Sequence, residues 1–164
     1  MGRDAAHRKS SSVYEDRYRV INGQRAEYWQ MCVYCGRPAA TRDHVPPISR
    51  INDYDSLGMK TPMYLKVPAC IECNTIGADT LQESFIERTE FIKDKLARKY
   101  ARALSVPDWE EDEIQQLGKN LQSKVRAALA RRAPQLERIE YYGGIDAVLD
   151  QLLDIYGEAP FDAR

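Results

Sequence analysis

The residues with the clearest capacity for chemistry are four cysteines, which occur as two Cys-x-x-Cys pairs, Cys32/Cys35 and Cys70/Cys73. A Cys-x-x-Cys turn presents two thiolates to one tetrahedral metal ion, and Gly36 supplies the backbone freedom that such a turn needs. The sequence shows no export signal, and disulfides are rare in proteins that stay in the reducing cytosol, so we expect reduced thiols and not disulfides. The pattern predicts one structural zinc ion with four thiolate ligands and no open position for a catalytic water.

The segment between the two pairs is long enough to contain a second site. It spans residues 36–69, whereas a plain zinc ribbon needs roughly 15–20 residues there. It contains the run Arg-Asp-His-Val-Pro-Pro, with Asp43 and His44, and Asn74 follows the last cysteine directly. In residue types, order and spacing, these motifs make residues 30–79 resemble the HNH endonucleases, in particular their bacterial and phage members.

The resemblance implies a fold, an activity and a set of functional residues. The fold would be a small zinc-stabilised ββα-metal core, and the activity a DNA endonuclease or nickase acting on double-stranded DNA. His44 would be the general base, because an imidazole with a pKa near 6.5 can accept a proton from water at neutral pH. Asp43 and Asn74 would be oxygen ligands of a catalytic Mg²⁺ or Mn²⁺.

The chain differs from the family at one position. HNH proteins usually carry a middle asparagine shortly before the second cysteine pair, where it helps to hold the histidine base, and this chain has Met-Tyr-Leu-Lys at 63–66. Asn52 lies in the same insert and is one candidate to replace it. The difference also keeps a second function open, a zinc-stabilised nucleic-acid-binding or regulatory module with weak or no cleavage.

A basic stripe on the helix after the second cysteine pair is the predicted nucleic-acid surface. Its members recur at steps of seven, four and three residues, which places them on one side of a helix. They are Arg88, Lys95, Lys99 and Arg102. A solvated helix face would show the same pattern. The pattern therefore leaves two alternatives open, contact with the DNA backbone or a charged helix face that binds no ligand.

Residue patterns predict an α+β chain whose C-terminal extension is mainly α-helical. Gly and Pro punctuate residues 31–79, whereas apolar residues recur at helical spacing afterwards. The predicted segments are a mobile arm at 1–12, a zinc-bound core with an N-terminal helix at 13–79, a helical extension at 80–157 and a frayed tail at 158–164.

Capping patterns predict where two of the helices begin. Thr80 with Glu83, and Asp108 with Glu111, have the spacing of a capping box. The second helix is expected to end before Pro134, since proline removes a backbone donor. Glu72 lies between two cysteines and is not a metal ligand, so its replacement is expected to have a much milder effect than replacement of Cys73.

Composition excludes some classes of protein. The net charge of −1 over 164 residues excludes a protein that binds nucleic acid through an overall basic charge, so any phosphate contact must come from a local patch. No apolar run approaches the roughly 18 residues of a membrane span, and we expect a cytoplasmic protein. A protein-interaction scaffold built on the C-terminal helices is a third possible function, and no pattern indicates an oligomeric state.

Overall fold

The structure is a computed structural model that describes residues 14–21, 31–51, 64–78, 80 and 84–156. It is an α+β structure in which a small three-stranded sheet is followed by a mainly helical region, as the sequence predicted. The predicted arm at 1–12, the tail at 158–164 and Asn52 lie outside the described residues. Within the described part, no helix combines the length and the apolar character that crossing a membrane requires.

The sheet contains β1 (Arg19–Val20), β2 (Thr41–Val45) and β3 (Leu65–Ala69), in the order β1-β3-β2. Strand β2 runs antiparallel to β3, and β1 runs parallel to it. Helix α1 (Ile71–Gly77) follows β3 almost directly. The chain therefore forms a β-hairpin and then a helix, with one cysteine pair before the hairpin and the other at the start of the helix.

The N-terminal segment is described only over residues 14–21. The sequence predicted a short helix within 13–29; in the described part, Tyr14 is helical, Glu15–Arg17 form a 3-10 turn and strand β1 follows, while the rest of the predicted segment lies outside the described residues. Tyr64 accepts a backbone hydrogen bond from Arg19, and Lys66 accepts one from Ile21. These bonds pair backbone groups at the edge of β3 that would otherwise lack a partner in the sheet.

Five further helices complete the described chain. Their bounds are α2 (Phe85–Lys99), α3 (Ala101–Leu104), α4 (Glu111–Gln115), α5 (Lys119–Glu140) and α6 (Gly143–Tyr156). The buried core is shared between the two predicted segments, since Val148 and Leu152 of α6 pack with Val33 and the cysteines. The helical extension therefore closes over the cysteine pairs.

Two predicted helix starts are displaced. Helix α2 is capped by Ser84 and Glu87, whose side chains each accept a hydrogen bond from the other's backbone N–H, and not by Thr80. The same Ser/Thr-x-x-Glu pattern occurs twice, four residues apart, so local sequence could not choose between the two caps. Helix α4 likewise begins after Glu110 and not at Asp108.

Helix α5 continues through Pro134, where the sequence predicted an end. Pro134 is exposed. Proline removes one intrahelical hydrogen bond, and at an exposed position water can satisfy the carbonyl group that loses its partner. Helix α5 therefore runs to Glu140 without the end that the sequence predicted before Pro134.

Candidate metal centre and the adjoining cleft

The four cysteines are buried and form one cluster, with all four Sγ atoms within 4.8 Å of one another. The Sγ atoms of Cys35 and Cys70 are 3.7 Å apart. A tetrahedral zinc ion with bonds of about 2.3 Å places its thiolates about 3.8 Å apart. The cluster can therefore hold a metal ion such as zinc, and its donor set fits the predicted structural site.

Backbone geometry positions each cysteine pair. In the first pair, Cys32 accepts backbone hydrogen bonds from Cys35 and Gly36, and Gly36 has a φ of 67°, which glycine adopts without strain. In the second pair, Cys70 is the N-cap of α1, and its sulfur accepts the backbone N–H of Cys73 at 3.5 Å. The cluster therefore joins a turn before the hairpin to the first turn of the helix after it.

Arg138 of the helical extension places positive charge beside the thiols. Arg138 of α5 is 3% exposed, and its guanidinium lies 3.9 Å from the sulfur of Cys35. A hydrogen bond from Cys32 lowers the pKa of Cys35 to about 6. Four thiolates around Zn²⁺ carry a net charge of −2, which nearby guanidinium charge offsets.

Glu72 has a larger structural role than the sequence predicted. Its carboxylate accepts hydrogen bonds from Lys99 at 2.5 Å, Tyr100 at 2.7 Å and Arg138 at 2.6 Å. Burial alone would raise the pKa of Glu72, but these donors outweigh it and bring the pKa to about 2. Since Arg138 is buried, loss of this carboxylate would leave a buried cation without its acid, so Glu72 has a structural role that sequence reasoning did not foresee.

Asp43, His44 and Asn74, which the sequence predicted as catalytic residues, line one cleft of about 240 Å³. We call it the His44 cleft. Asp43 and His44 lie on β2, and Asn74 lies on α1 beside the cysteine cluster. The cleft is also lined by Arg42, Pro47, Ile48, Ser49, Ala78 and Arg88. Tertiary structure thus brings residues of the insert and the residue after Cys73 to one surface.

Arg88 is buried and bound to Asp43, which corrects its predicted place in the exposed basic stripe. Its Nε and one terminal nitrogen each donate to a different Asp43 oxygen at 2.7 Å, and its side chain is 0% exposed. Tyr34 donates a third hydrogen bond to Asp43 at 2.7 Å. Burial, reinforced by the Asp43 charge, raises the pKa of Tyr34, so its hydroxyl remains a donor.

The ion pair connects separate parts of the core. Arg88 also donates to the Thr80 hydroxyl at 2.8 Å, and Thr80 in turn donates to the carbonyl of Gly77 at 2.9 Å. A Cβ atom at Gly77 would lie 2.9 Å from the guanidinium, so glycine leaves the space that Arg88 occupies. Strand β2, the end of α1 and helix α2 therefore meet at one guanidinium.

The surroundings of Asp43 do not fit the catalytic cation that the resemblance implied. Both carboxylate oxygens accept hydrogen bonds from Arg88, and the side chain is 3% exposed. A divalent cation bound to these oxygens would stand beside a buried positive charge at close range, where repulsion is weakly screened. In this arrangement Asp43 is a structural anion.

His44, the next residue of β2, is partly exposed. Its Nε2 lies 3.3 Å from a carboxylate oxygen of Glu15, and the edge of its ring meets Tyr18 at a centroid distance of 4.7 Å. Burial lowers the pKa of His44 below its ordinary value. A neutral imidazole at physiological pH can accept a proton, which suits the predicted base role.

Asn74 is held by its amide nitrogen. That nitrogen donates to the hydroxyl of Thr41 at 3.1 Å and to the carbonyl of Arg42 at 3.4 Å. Thr41 in turn donates to the carbonyl of Ala69. Among the described residues, no donor reaches the amide oxygen of Asn74, so this oxygen can accept from a ligand or a water in the His44 cleft.

The rest of the predicted stripe is exposed, but it is arranged differently from the prediction. Lys99 is paired with Glu72, and Lys95 lies 5.2 Å from the centre of the Phe91 ring. Arg102 instead lines a second depression of about 470 Å³ between α3 and α5, which we call the basic cleft. Its other lining residues are Lys99, Tyr100, Ala103, Val106, Ala128 and Arg131.

Comparison of the chain with protein-family models, with curated proteins and with solved structures finds no match in any of the three.

Sequence reasoning did not predict the structural roles of four residues that organise these sites, which are Glu15, Tyr34, Arg88 and Arg138. For Arg88 a signal was present: it lies three residues after Phe85 and four before Ile92, which is the spacing of the buried face of α2. The partners of Glu15 and Arg138 are distant in sequence. No local pattern identifies such contacts.

Proposed function

We propose that the chain is a phosphodiester hydrolase of the HNH type that cleaves or nicks DNA, with His44 as the general base. One observation carries the proposal: Asp43, His44 and Asn74 converge on the His44 cleft beside a buried cluster of four cysteines. Any one of these residues has a simple structural explanation. Their convergence follows the order of the motif that the sequence resembles.

The local architecture also supports the proposal. A cysteine pair, a β-hairpin and a helix that begins with the second pair give the strand-strand-helix order of a ββα-metal core. The His44 cleft is open and, at about 240 Å³, smaller than the roughly 300–1,000 Å³ of typical small-molecule pockets. A shallow cleft of this size suits part of an extended polymer better than an enclosed metabolite.

The reaction can be written with this chain's own groups. The Nδ1 atom of His44 accepts a proton from water as the water oxygen attacks phosphorus, the bond from phosphorus to the departing sugar oxygen breaks, and that oxygen takes up a proton from solvent water. Arg42 lines the same cleft and supplies positive charge near the phosphate. The amide oxygen of Asn74 can accept a hydrogen bond from the attacking water.

Replacement of His44 tests the proposal directly. We expect His44→Ala to reduce the nicking of supercoiled plasmid by about 10²- to 10⁴-fold, the contribution of a positioned general base. The variant should keep its melting temperature, because the ring is partly exposed and its strand neighbours are unchanged. Gel assays should compare both proteins with and without added Mg²⁺ or Mn²⁺.

The matched control is His7→Ala, which removes the only other histidine and should cut like the wild type. Equal residual cutting by wild type and His44→Ala would mean a contaminating nuclease and would reject the proposal. Since one chain carries one candidate site, relaxed circles should appear before linear DNA. If linear DNA appears at once, two chains act together.

The basic cleft is the proposed path for the DNA backbone. Arg102 and Arg131 line it and are exposed, and among the described residues neither has a carboxylate partner. In a His44→Ala background, we expect the double variant Arg102→Ala/Arg131→Ala to weaken binding to unrelated DNA sequences alike. The magnitude of the slope of log affinity against log salt concentration should fall by about two. For each phosphate contact that is lost, about one counterion fewer is released from the DNA on binding.

The control for the basic cleft is Lys119→Ala/Lys124→Ala, which removes the same charge from exposed positions outside the cleft. Electrophoretic or fluorescence titrations at several salt concentrations give the slopes. If both double variants reduce the slope equally, the effect is one of net charge and the basic cleft is not a specific path.

A second candidate function is a zinc-stabilised module that binds nucleic acid without cutting it. The ion pair of Asp43 with Arg88 favours this function, since it occupies the carboxylate that the resemblance assigned to a catalytic cation. Wild-type protein that binds DNA through the basic cleft, yet never nicks it with Mg²⁺ or Mn²⁺, would identify this function.

A further inference from the structure

The N-terminal segment places an acid on the histidine of the candidate site. Glu15 contacts two residues of the sheet with its two oxygens: Oε2 lies 3.3 Å from Nε2 of His44, and Oε1 is ion-paired with Lys66. His44 and Lys66 are directly opposite each other on β2 and β3. One carboxylate therefore joins two neighbouring strands at the edge of the His44 cleft.

We propose that Glu15 is the positioning residue for His44, the role that the family gives to its middle asparagine. The inference rests on the proposed function for its catalytic meaning. A carboxylate can only accept a hydrogen bond, so Nε2 of His44 must carry the proton and donate it to Glu15. Nδ1 then keeps its lone pair, and it is the atom free to accept a proton from water.

The missing asparagine and Glu15 are connected by position. Lys66 lies in the Met-Tyr-Leu-Lys run that replaces the asparagine, and it holds the carboxylate that contacts His44. Lys66, which lies in the run that replaces the asparagine, therefore influences His44 through Glu15 and not by direct contact. Asn52, the candidate from the sequence, is not needed for this role.

Other contacts keep the segment in place. Strand β1 pairs with β3, so the chain after Glu15 is fixed by the backbone hydrogen bonds of Arg19 and Ile21. The hydroxyl of Tyr18 donates to the carbonyl of Pro46 at 2.6 Å, and its ring lies nearly perpendicular to that of His44, at 85°. The imidazole is therefore held by the Tyr18 ring as well as by the Glu15 carboxylate.

Nuclear magnetic resonance can test the proposal without any nuclease activity. In a His7→Gln protein, whose only histidine is His44, long-range proton–nitrogen spectra should show one neutral tautomer with its proton on Nε2. That proton should exchange slowly enough with water to be observed. In Glu15→Ala we expect the proton signal to disappear and the nitrogen shifts to move toward the average of two tautomers.

Two variants make the test specific. Asp16→Asn removes a negative charge from the next, exposed residue and should leave the His44 spectrum unchanged. Glu15→Gln retains an oxygen acceptor of similar shape and should recover part of the Nε2 proton signal. The proposal is overturned if Glu15→Ala leaves the spectrum unchanged, or if Asp16→Asn alters it equally.

Kinetics give the catalytic counterpart. Glu15→Ala should lower kcat by about 10- to 100-fold with little change in KM, as expected when a base is misplaced but substrate binding is intact. Failure of the two ideas can be told apart. If His44→Ala cuts like wild type, the nuclease proposal fails while the spectra still decide whether Glu15 fixes the ring.

Discussion

Cys73→Ser is expected to unfold the core of the protein, because the four clustered thiols join the turn before the hairpin to the first turn of α1, and a zinc ion held by them would link the two. Cys73 is fully buried and lies in the same cluster as the other three thiols. Structural zinc contributes on the order of 10 kcal/mol in small peptides, more than the total stability of many domains. Removal of zinc by a chelator should have the same effect on circular dichroism and thermal unfolding.

The matched control for the cysteine is Ile71→Ser, a change on the same turn of α1 at a side chain that is 64% exposed. It should melt within a few degrees of the wild type. Elemental analysis should find one zinc ion per chain. Absence of zinc from folded protein, or a Cys73→Ser protein that melts like Ile71→Ser, would contradict a structural metal site.

Removal of Arg88 is expected to have the second-largest effect. Arg88→Ala should lower the free energy of unfolding by about 3–5 kcal/mol, because Asp43 would become a buried charge without its partner. It also removes packing against Gly77 and the hydrogen bond to Thr80. Chemical denaturation of the zinc-loaded protein, followed by circular dichroism, measures the change.

Arg98→Ala is the matched control, since it removes an arginine from the same helix. Arg98 pairs with Asp94 at the surface, and their side chains are 72% and 48% exposed, so its loss should cost less than about 1 kcal/mol. Equal losses from the two arginine variants would mean that the pair with Asp43 is not formed in solution. In that case Asp43 would again be available to a cation.

A combined substitution separates the pair from its parts. When both Asp43 and Arg88 are replaced by leucine, no charge is left unpaired, and the double variant should be more stable than Arg88→Ala. The zinc content should remain at one per chain, because neither residue contacts a thiol. This result would show that the Asp43–Arg88 pair stabilises the folded core and is not required for zinc binding.

Local patterns were sufficient for the cysteine pairs and for the general organisation of the chain. Cys-x-x-Cys spacing restricts two sulfurs to one side of a turn, so the pairing of four cysteines around a metal follows from types and spacing alone. The change from Gly- and Pro-rich chain to helical periodicity predicted an α+β chain with mainly helical content after the sheet, and the described residues have this organisation. Both signals depend on neighbours within a few residues.

The sequence predicted helix boundaries less well than it predicted the cysteine pairs. Thr80 and Ser84 both begin a Ser/Thr-x-x-Glu pattern, and only Ser84 forms the cap. Thr80 is used by Arg88, a contact that forms only when α1 and α2 pack together. The choice between two equivalent local signals was therefore made by a tertiary hydrogen bond.

The sequence by itself identified the four cysteines whose cluster can hold a metal ion and the order of the motif around His44, while tertiary structure decided the surroundings of each candidate residue. Asp43 and Arg88 are 45 positions apart, and Glu15 and His44 are 29 positions apart. Helical period places an arginine on a face of a helix, but it does not say whether a buried carboxylate lies opposite that face. Electrostatic pairing between segments that are distant in sequence depends on how close they lie in the folded protein. For that reason the sequence predicted Arg88 as a DNA contact, whereas in the structure it forms a buried ion pair with Asp43.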